Sequence, residues 1–155
     1  MHRPGEMRER VIEADAPEDW KNAVIGVEAG ENVHLGARLE SLHDGILVSA
    51  EIKTIARGEC VRCLQAVELP LEVEIQEVFA YSLDEAFDYV IQETQVDLEP
   101  AVRDAVVLAL PFQPICQLEC EGLCPTCGLR LLDEPNHKHE DVIDPRWSAL
   151  RDLKG

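Results

Sequence analysis

The chain has 155 residues, enough for one domain or one domain with a small appendage, and its 46% hydrophobic and 29% charged content suits a folded protein rather than a disordered one. It carries 31 acidic residues against 14 basic ones, a formal net charge of −17, which excludes a broad electrostatic grip on nucleic acid or anionic lipid. The longest apolar run, residues 105–110, is far short of the roughly 20 residues a bilayer span needs, and the first residues lack a secretory signal's apolar segment, so a cytoplasmic protein with no membrane partner is expected.

Residues 8–13 read as strand-like, and Asp15 with Pro17 can start a short helical turn. Residues 24–42 hold two weak strand candidates broken by Gly26, Gly30 and Gly36. From Gly45 a better strand begins: Ile46, Val48, Ala50 and Ile52 alternate with Leu47, Ser49, Glu51 and Lys53. The clearest strand is 67–75, with Val67, Leu69, Leu71, Val73 and Ile75 on one side and Glu68, Glu72 and Glu74 on the other. Pro70 removes a ladder donor and suits an edge, which the glutamates also protect from further pairing. Phe79 and Tyr81 continue the run into an acidic loop at 82–88. Asp97 is a candidate N-cap for a helix to Leu110, with Pro100 in its first turn and Val102, Ala105, Val106, Ala109 and Leu110 as its apolar face. Pro111 and Pro114 end it, and a last short helix is expected from Asp144 and Pro145, with Trp147, Leu150 and Leu153 on one side.

The expected fold class is α+β: an antiparallel β-sheet over residues 8–81, a packed helix, and a C-terminal zinc-knuckle region. As domains this divides into 1–112, sheet plus helix, and 113–155, a cysteine-rich tail packed on it.

Six cysteines, Cys60, Cys63, Cys116, Cys120, Cys124 and Cys127, form the pattern C-x2-C, then C-x3-C-x3-C-x2-C. Cytosolic thiols stay reduced, so clustered cysteines point to metal binding or redox chemistry rather than a disulfide framework. Cys124 and Cys127 are the strongest signal. A two-residue spacer gives the bite of a tetrahedral zinc ion, Pro125 presets a turn dihedral, and Gly128 tolerates positive φ. Cys60 and Cys63 have the same bite without the Pro and Gly. They lie between two strand-like runs, whereas a thioredoxin-type pair opens a helix. Cys116 and Cys120 share a face if the segment is helical. His137 and His139 lie close enough beyond Cys127 to complete a tetrahedron, although six polar and charged residues surround them. His2, His34 and His43 are isolated and carry no assigned role.

Eight donors suffice for two four-coordinate ions, so one or two Zn2+ ions are expected. The preferred pairing joins Cys60 and Cys63 to Cys116 and Cys120, and Cys124 and Cys127 to His137 and His139. The rival pairing puts both C-x2-C knuckles on one ion, as in a zinc ribbon, and spacing alone admits both. Between Gln65 and Val102 there are ten acids and no Lys or Arg, which reads either as a solvated sheet face or as a docking surface for a basic protein. Lys53, Arg57 and Arg62, with Arg130, Arg146, Arg151 and Lys154, offer a local basic patch if they converge on the metal. No phosphate loop, nucleophile elbow or paired nucleophile and base is present, so no enzyme and no small-molecule substrate are expected.

Four segments resemble the YceD family, the large ribosomal RNA subunit accumulation proteins: GECVRCL at 58–64, RDAVVLALP at 103–111, EGLCPTCG at 121–128 and DPRW at 144–147 followed by Leu150. The similarity spans residues 45–153. It implies a bacterial, non-catalytic factor needed for 23S ribosomal RNA accumulation and large-subunit assembly. The neighbouring gene in many relatives makes the basic ribosomal protein L32 a candidate partner. Where many relatives carry a C-x-C after the second knuckle, this chain has His137-Lys138-His139. Two other readings accompany this one: direct binding of 23S ribosomal RNA or its precursor by a zinc protein with a basic patch, and a C-x2-C thiol oxidoreductase.

Overall fold

The computed structural model describes residues 4–82, 88–139 and 146. In chain order the elements are β1 (Met7–Asp15), β2 (Ile25–Gly26), β3 (Asn32–Ser41), β4 (Gly45–Glu59), β5 (Ala66–Ala80), β6 (Tyr89–Val90) and α1 (Glu99–Ala109). The sheet order is β1-β3-β4-β5-β6, with β2 paired to the far end of β4. Among the described residues no helix is long and apolar enough to cross a membrane.

Alternation dictates the long strands. On β4, Ile46, Val48, Ala50, Ile52, Thr54 and Ala56 are all buried, while the residues between them are exposed or half-buried. On β5, Leu71 and Ile75 are buried and Glu68, Glu72 and Glu74 are exposed. The register sets Ile46 opposite Phe79, Ala50 opposite Ile75 and Ile52 opposite Val73, so the two apolar rows form one floor. Helix α1 lies against β5 and adds Ala101, Val102, Val106 and Leu110 to the same core. A β-sheet with one face covered by a helix and the other facing water gives each strand this two-sided pattern.

Four expectations change. The sheet is mixed rather than purely antiparallel, because β6 runs parallel to β5 through Phe79–Tyr89 and Ala80–Val90. A two-residue strand has no alternation to read. Glu18 and Asp19 form a turn with Asp19 at φ 77°, so no helical turn follows Pro17. Helix α1 starts one residue later than expected, with Leu98 rather than Asp97 at the N-cap position, although the Asp97 carboxylate still accepts the Glu99 N–H at 3.1 Å. Its apolar face includes Ala101 and leaves Ala109 exposed, because the chain turns extended at Leu110. Pro70 does lie on a free edge: among the described residues β5 meets β6 only at Phe79 and Ala80. The expected closing helix from Asp144 and most of the acidic loop lie outside the described residues.

Candidate metal centres

The chain uses one turn twice. After β4, residues 60–65 form a turn in which the Cys60 N–H donates to the Gln65 carbonyl at 2.8 Å and the Leu64 N–H to the Cys60 carbonyl at 2.9 Å. In the tail, the Cys124 N–H donates to the Leu129 carbonyl at 2.7 Å and the Gly128 N–H to the Cys124 carbonyl at 2.8 Å. Both turns put the residue after the second cysteine in the left-handed region, Leu64 at φ 60° and Gly128 at φ 74°. The first turn thus reaches the knuckle geometry without the Pro and Gly that marked the second.

The first turn gathers four sulfurs. The Val61 N–H donates to the Pro114 carbonyl at 2.9 Å, and Arg62 donates to the Cys120 carbonyl at 2.9 Å, which lays the segment after α1 across the turn. Gly122, at φ 85°, sits so close that a Cβ there would lie 2.9 Å from the Arg62 carbonyl oxygen. The Sγ atoms of Cys60, Cys63, Cys116 and Cys120 then lie within 4.8 Å of one another. Cys63 to Cys116 is 3.6 Å and Cys60 to Cys120 is 3.9 Å. A tetrahedral zinc ion with bonds of about 2.3 Å to sulfur requires edges of about 3.8 Å, so these sulfurs fit one ion. Cys60, Cys63 and Cys120 are buried with Val67, Ile115 and Leu123 packed around them. Burial opposes ionisation of Cys60, but the backbone amides of Cys116, Cys63 and Arg62 aimed at its sulfur overcome it and bring the thiol down to about 6. The Gln65 amide lowers Cys63 in the same way. Burial dominates at Cys120 and pushes its thiol up to about 12. A divalent ion bound there would offset that burial and favour loss of the thiol proton.

The second set is Cys124, Cys127, His137 and His139, whose donor atoms also lie within 4.8 Å of one another. The turn following the knuckle is tied back by the Leu131 N–H to the Gly122 carbonyl at 3.0 Å. Cys127 Sγ is 3.2 Å from His137 Nε2, which is 2.9 Å from His139 Nε2. Two ring nitrogens and two sulfurs facing one point form a mixed thiolate and imidazole donor set suited to zinc. The amides of Cys127 and Thr126 hold the Cys124 thiol at about 6. Here only Cys124 is buried; His137 is half-buried, and Cys127 and His139 are exposed.

The eight residues singled out from sequence thus gather in two sets of four, and the two knuckles fall in different sets. Of the expected basic patch, Arg151 and Lys154 lie outside the described residues, and four of the described members are already engaged. Lys53 bridges Glu51 and Glu72, and Arg57 pairs with Glu31 and Glu68. Arg62 is spent on carbonyls, while Arg130 reaches Asp133 at 3.1 Å and Cys116 Sγ at 3.9 Å. The sequence reading placed these two arginines in a basic patch near the metal rather than within the centres, and it missed Leu64 and Gly122. A repeated left-handed position after each C-x2-C was the available signal, and it was hidden by Leu64.

The profile of a family described as "Large ribosomal RNA subunit accumulation protein YceD" matches residues 48–154, from within β4 through both cysteine sets. An uncharacterized protein of Mycobacterium tuberculosis is 40% identical over 99% of this chain and 77% of its own length. An uncharacterized protein of Mycobacterium leprae is 38% identical over 84% of this chain and 63% of its own length. YlbN, an uncharacterized protein of Bacillus subtilis, is 28% identical over 61% of this chain and 58% of its own length. No solved structure matches.

Proposed function

The chain belongs to the YceD family of large ribosomal RNA subunit accumulation proteins, and on that premise we propose that it is a non-catalytic ribosome-biogenesis factor. It supports accumulation of 23S ribosomal RNA and assembly of the large subunit by binding a basic ribosomal protein, with L32 as the candidate. Cys60, Cys63, Cys116 and Cys120 hold one zinc ion, and Cys124, Cys127, His137 and His139 hold a second. The metals supply cross-links: they fix the tail to the end of the β4–β5 hairpin and give the partner a rigid surface.

The observation that carries this reading is the family match, which spans the strands and both donor sets. Charge supports the choice of partner. Glu74, Glu77, Asp88 and Glu93 form no ion pair among the described residues, in contrast to Glu68 and Glu72. Glu74 faces another acid, Glu51, across the ladder. Lys53 bridges Glu51 but not Glu74, so a cation from outside would pair with Glu74. Direct RNA binding is less favoured, because the Arg62 and Arg130 guanidinium groups are turned onto the cysteine sets. A dithiol exchange role needs a reachable thiolate, whereas Cys60 and Cys63 are 0% and 2% exposed.

The test is binding of purified L32 by the zinc-loaded chain at increasing salt. The expected result is a complex at low salt that weakens steeply as salt rises, and weakens further in a Glu74→Gln, Glu77→Gln variant. Recovery of no ribosomal protein at low salt would remove the proposed partner.

A further inference from the structure

We infer that Arg130 couples the two metal centres, so that the ion of the four-cysteine site is held firmly only when the mixed cysteine and histidine site is filled; this rests on the zinc reading above. Arg130 belongs by sequence to the second centre, lying between Cys127 and His137. Its backbone pairs with that of Leu123, the residue next to the second-centre donor Cys124. Its guanidinium nevertheless reaches the first centre: Nη2 is 3.9 Å from Cys116 Sγ, while Nη1 is held by Asp133 at 3.1 Å. The Nε atom is buried with no hydrogen-bond partner among the described residues, so the group is committed to this position without being fully satisfied by the polypeptide.

Charge explains the direction of the reach. One divalent ion with four thiolates leaves a net charge of −2, whereas one with two thiolates and two neutral imidazoles is neutral. The first centre therefore needs a cation beside it and the second does not. Arg62 lies on the first turn, but its guanidinium is engaged by the Cys120 and Leu118 carbonyls. Arg130 brings its charge to a sulfur. The loop that presents it is closed at its far end by His137 and His139. Filling the second site fixes that loop, and the fixed loop holds the cation against Cys116. Groups outside the ligand shell that satisfy metal ligands are worth about 10- to 100-fold in metal affinity.

The experiment follows ion loss from the intact zinc-loaded chain under a chelator by native mass spectrometry. A cobalt-loaded sample reports thiolate coordination by its charge-transfer band. Four variants are compared with wild type: Arg130→Gln, Arg130→Lys, the pair His137→Ala and His139→Ala, and the histidine pair combined with Arg130→Gln. Wild type should hold two ions. The histidine pair should speed loss of the ion bound by four cysteines by about 10- to 100-fold. Arg130→Gln should speed it similarly while the second ion stays bound, which also shows that the tail is folded. The combined variant should be no faster than either alone, because both remove the same link. Arg130→Lys, which keeps the charge, should recover part of the retention. If wild type and Arg130→Gln both hold two ions and lose the first-centre ion at the same rate, or if the two effects multiply, the coupling is overturned and the zinc reading stands. A wild-type chain that binds no ion would overturn both.

Discussion

Leu64 holds a φ of 60° with its side chain 59% exposed, at the position where the second knuckle has Gly128. A left-handed backbone costs a residue with a Cβ roughly 1–2 kcal/mol, and glycine would return roughly 0.5–1 kcal/mol of that through its looser unfolded chain. Leu64→Gly should therefore stabilise the protein by up to about 1.5 kcal/mol, read as a higher denaturant midpoint at unchanged slope; a lower midpoint would show that the Leu64 side chain packs to advantage. Glu72 provides a pH test at the same scale. Its hydrogen bond to Lys53 holds its carboxyl below the ordinary value of 4.5. A depressed carboxylate contributes stability above its unfolded value and loses it as pH falls through the folded value. The stability difference between wild type and Glu72→Gln should accordingly be present at neutral pH and vanish on acidification. A difference that persists in acid would mean that the Lys53 bridge is not its source.

At the scale of elements, β4 is the central beam, and Ile52 on it is fully buried. Ile52→Ala should cost about 2–5 kcal/mol. Leu108→Ala on the solvent side of α1, where Leu108 is 83% exposed, should stay within about 0.5 kcal/mol. Equal losses at the two positions in denaturant titrations would contradict the packing described. The contrast also explains what could be read in advance. β4 and β5 announce themselves because one face meets α1 and the other meets water, which forces alternation. β1 is exposed at every residue and has no such pattern; residues 8–13 read as strand-like all the same, and pairing with β3 along the whole of Met7–Asp15 makes the strand. β6 is set by its meeting with Phe79 and Ala80, a tertiary event with no local signature. The first knuckle is the weaker signal in sequence because its turn makes the same backbone hydrogen bonds as the second without the Pro and Gly that advertise them. Arg62 and Arg130 read as surface charge in the sequence, and only the fold aims them at the Cys120 carbonyl and the Cys116 sulfur, with Arg62 still exposed.

Across the whole molecule, donors from residues 60 and 63 meet donors from 116 and 120, so the chain's two halves share one centre. A surplus of acids over bases cannot itself hold this arrangement, and the hydrophobic contacts around Cys60, Cys63 and Cys120 are few. On the proposed zinc reading, metal bonding is the cross-link that makes the tail part of the fold, and metal binding of this kind is folding energy. The direct test is the number of zinc ions per chain in protein purified without added zinc, for wild type, Cys60→Ser and Cys124→Ser. Two ions are expected in wild type and one in each variant, the remaining ion differing between them. A metal-free wild type, or one ion lost from a shared site in both variants, would contradict it.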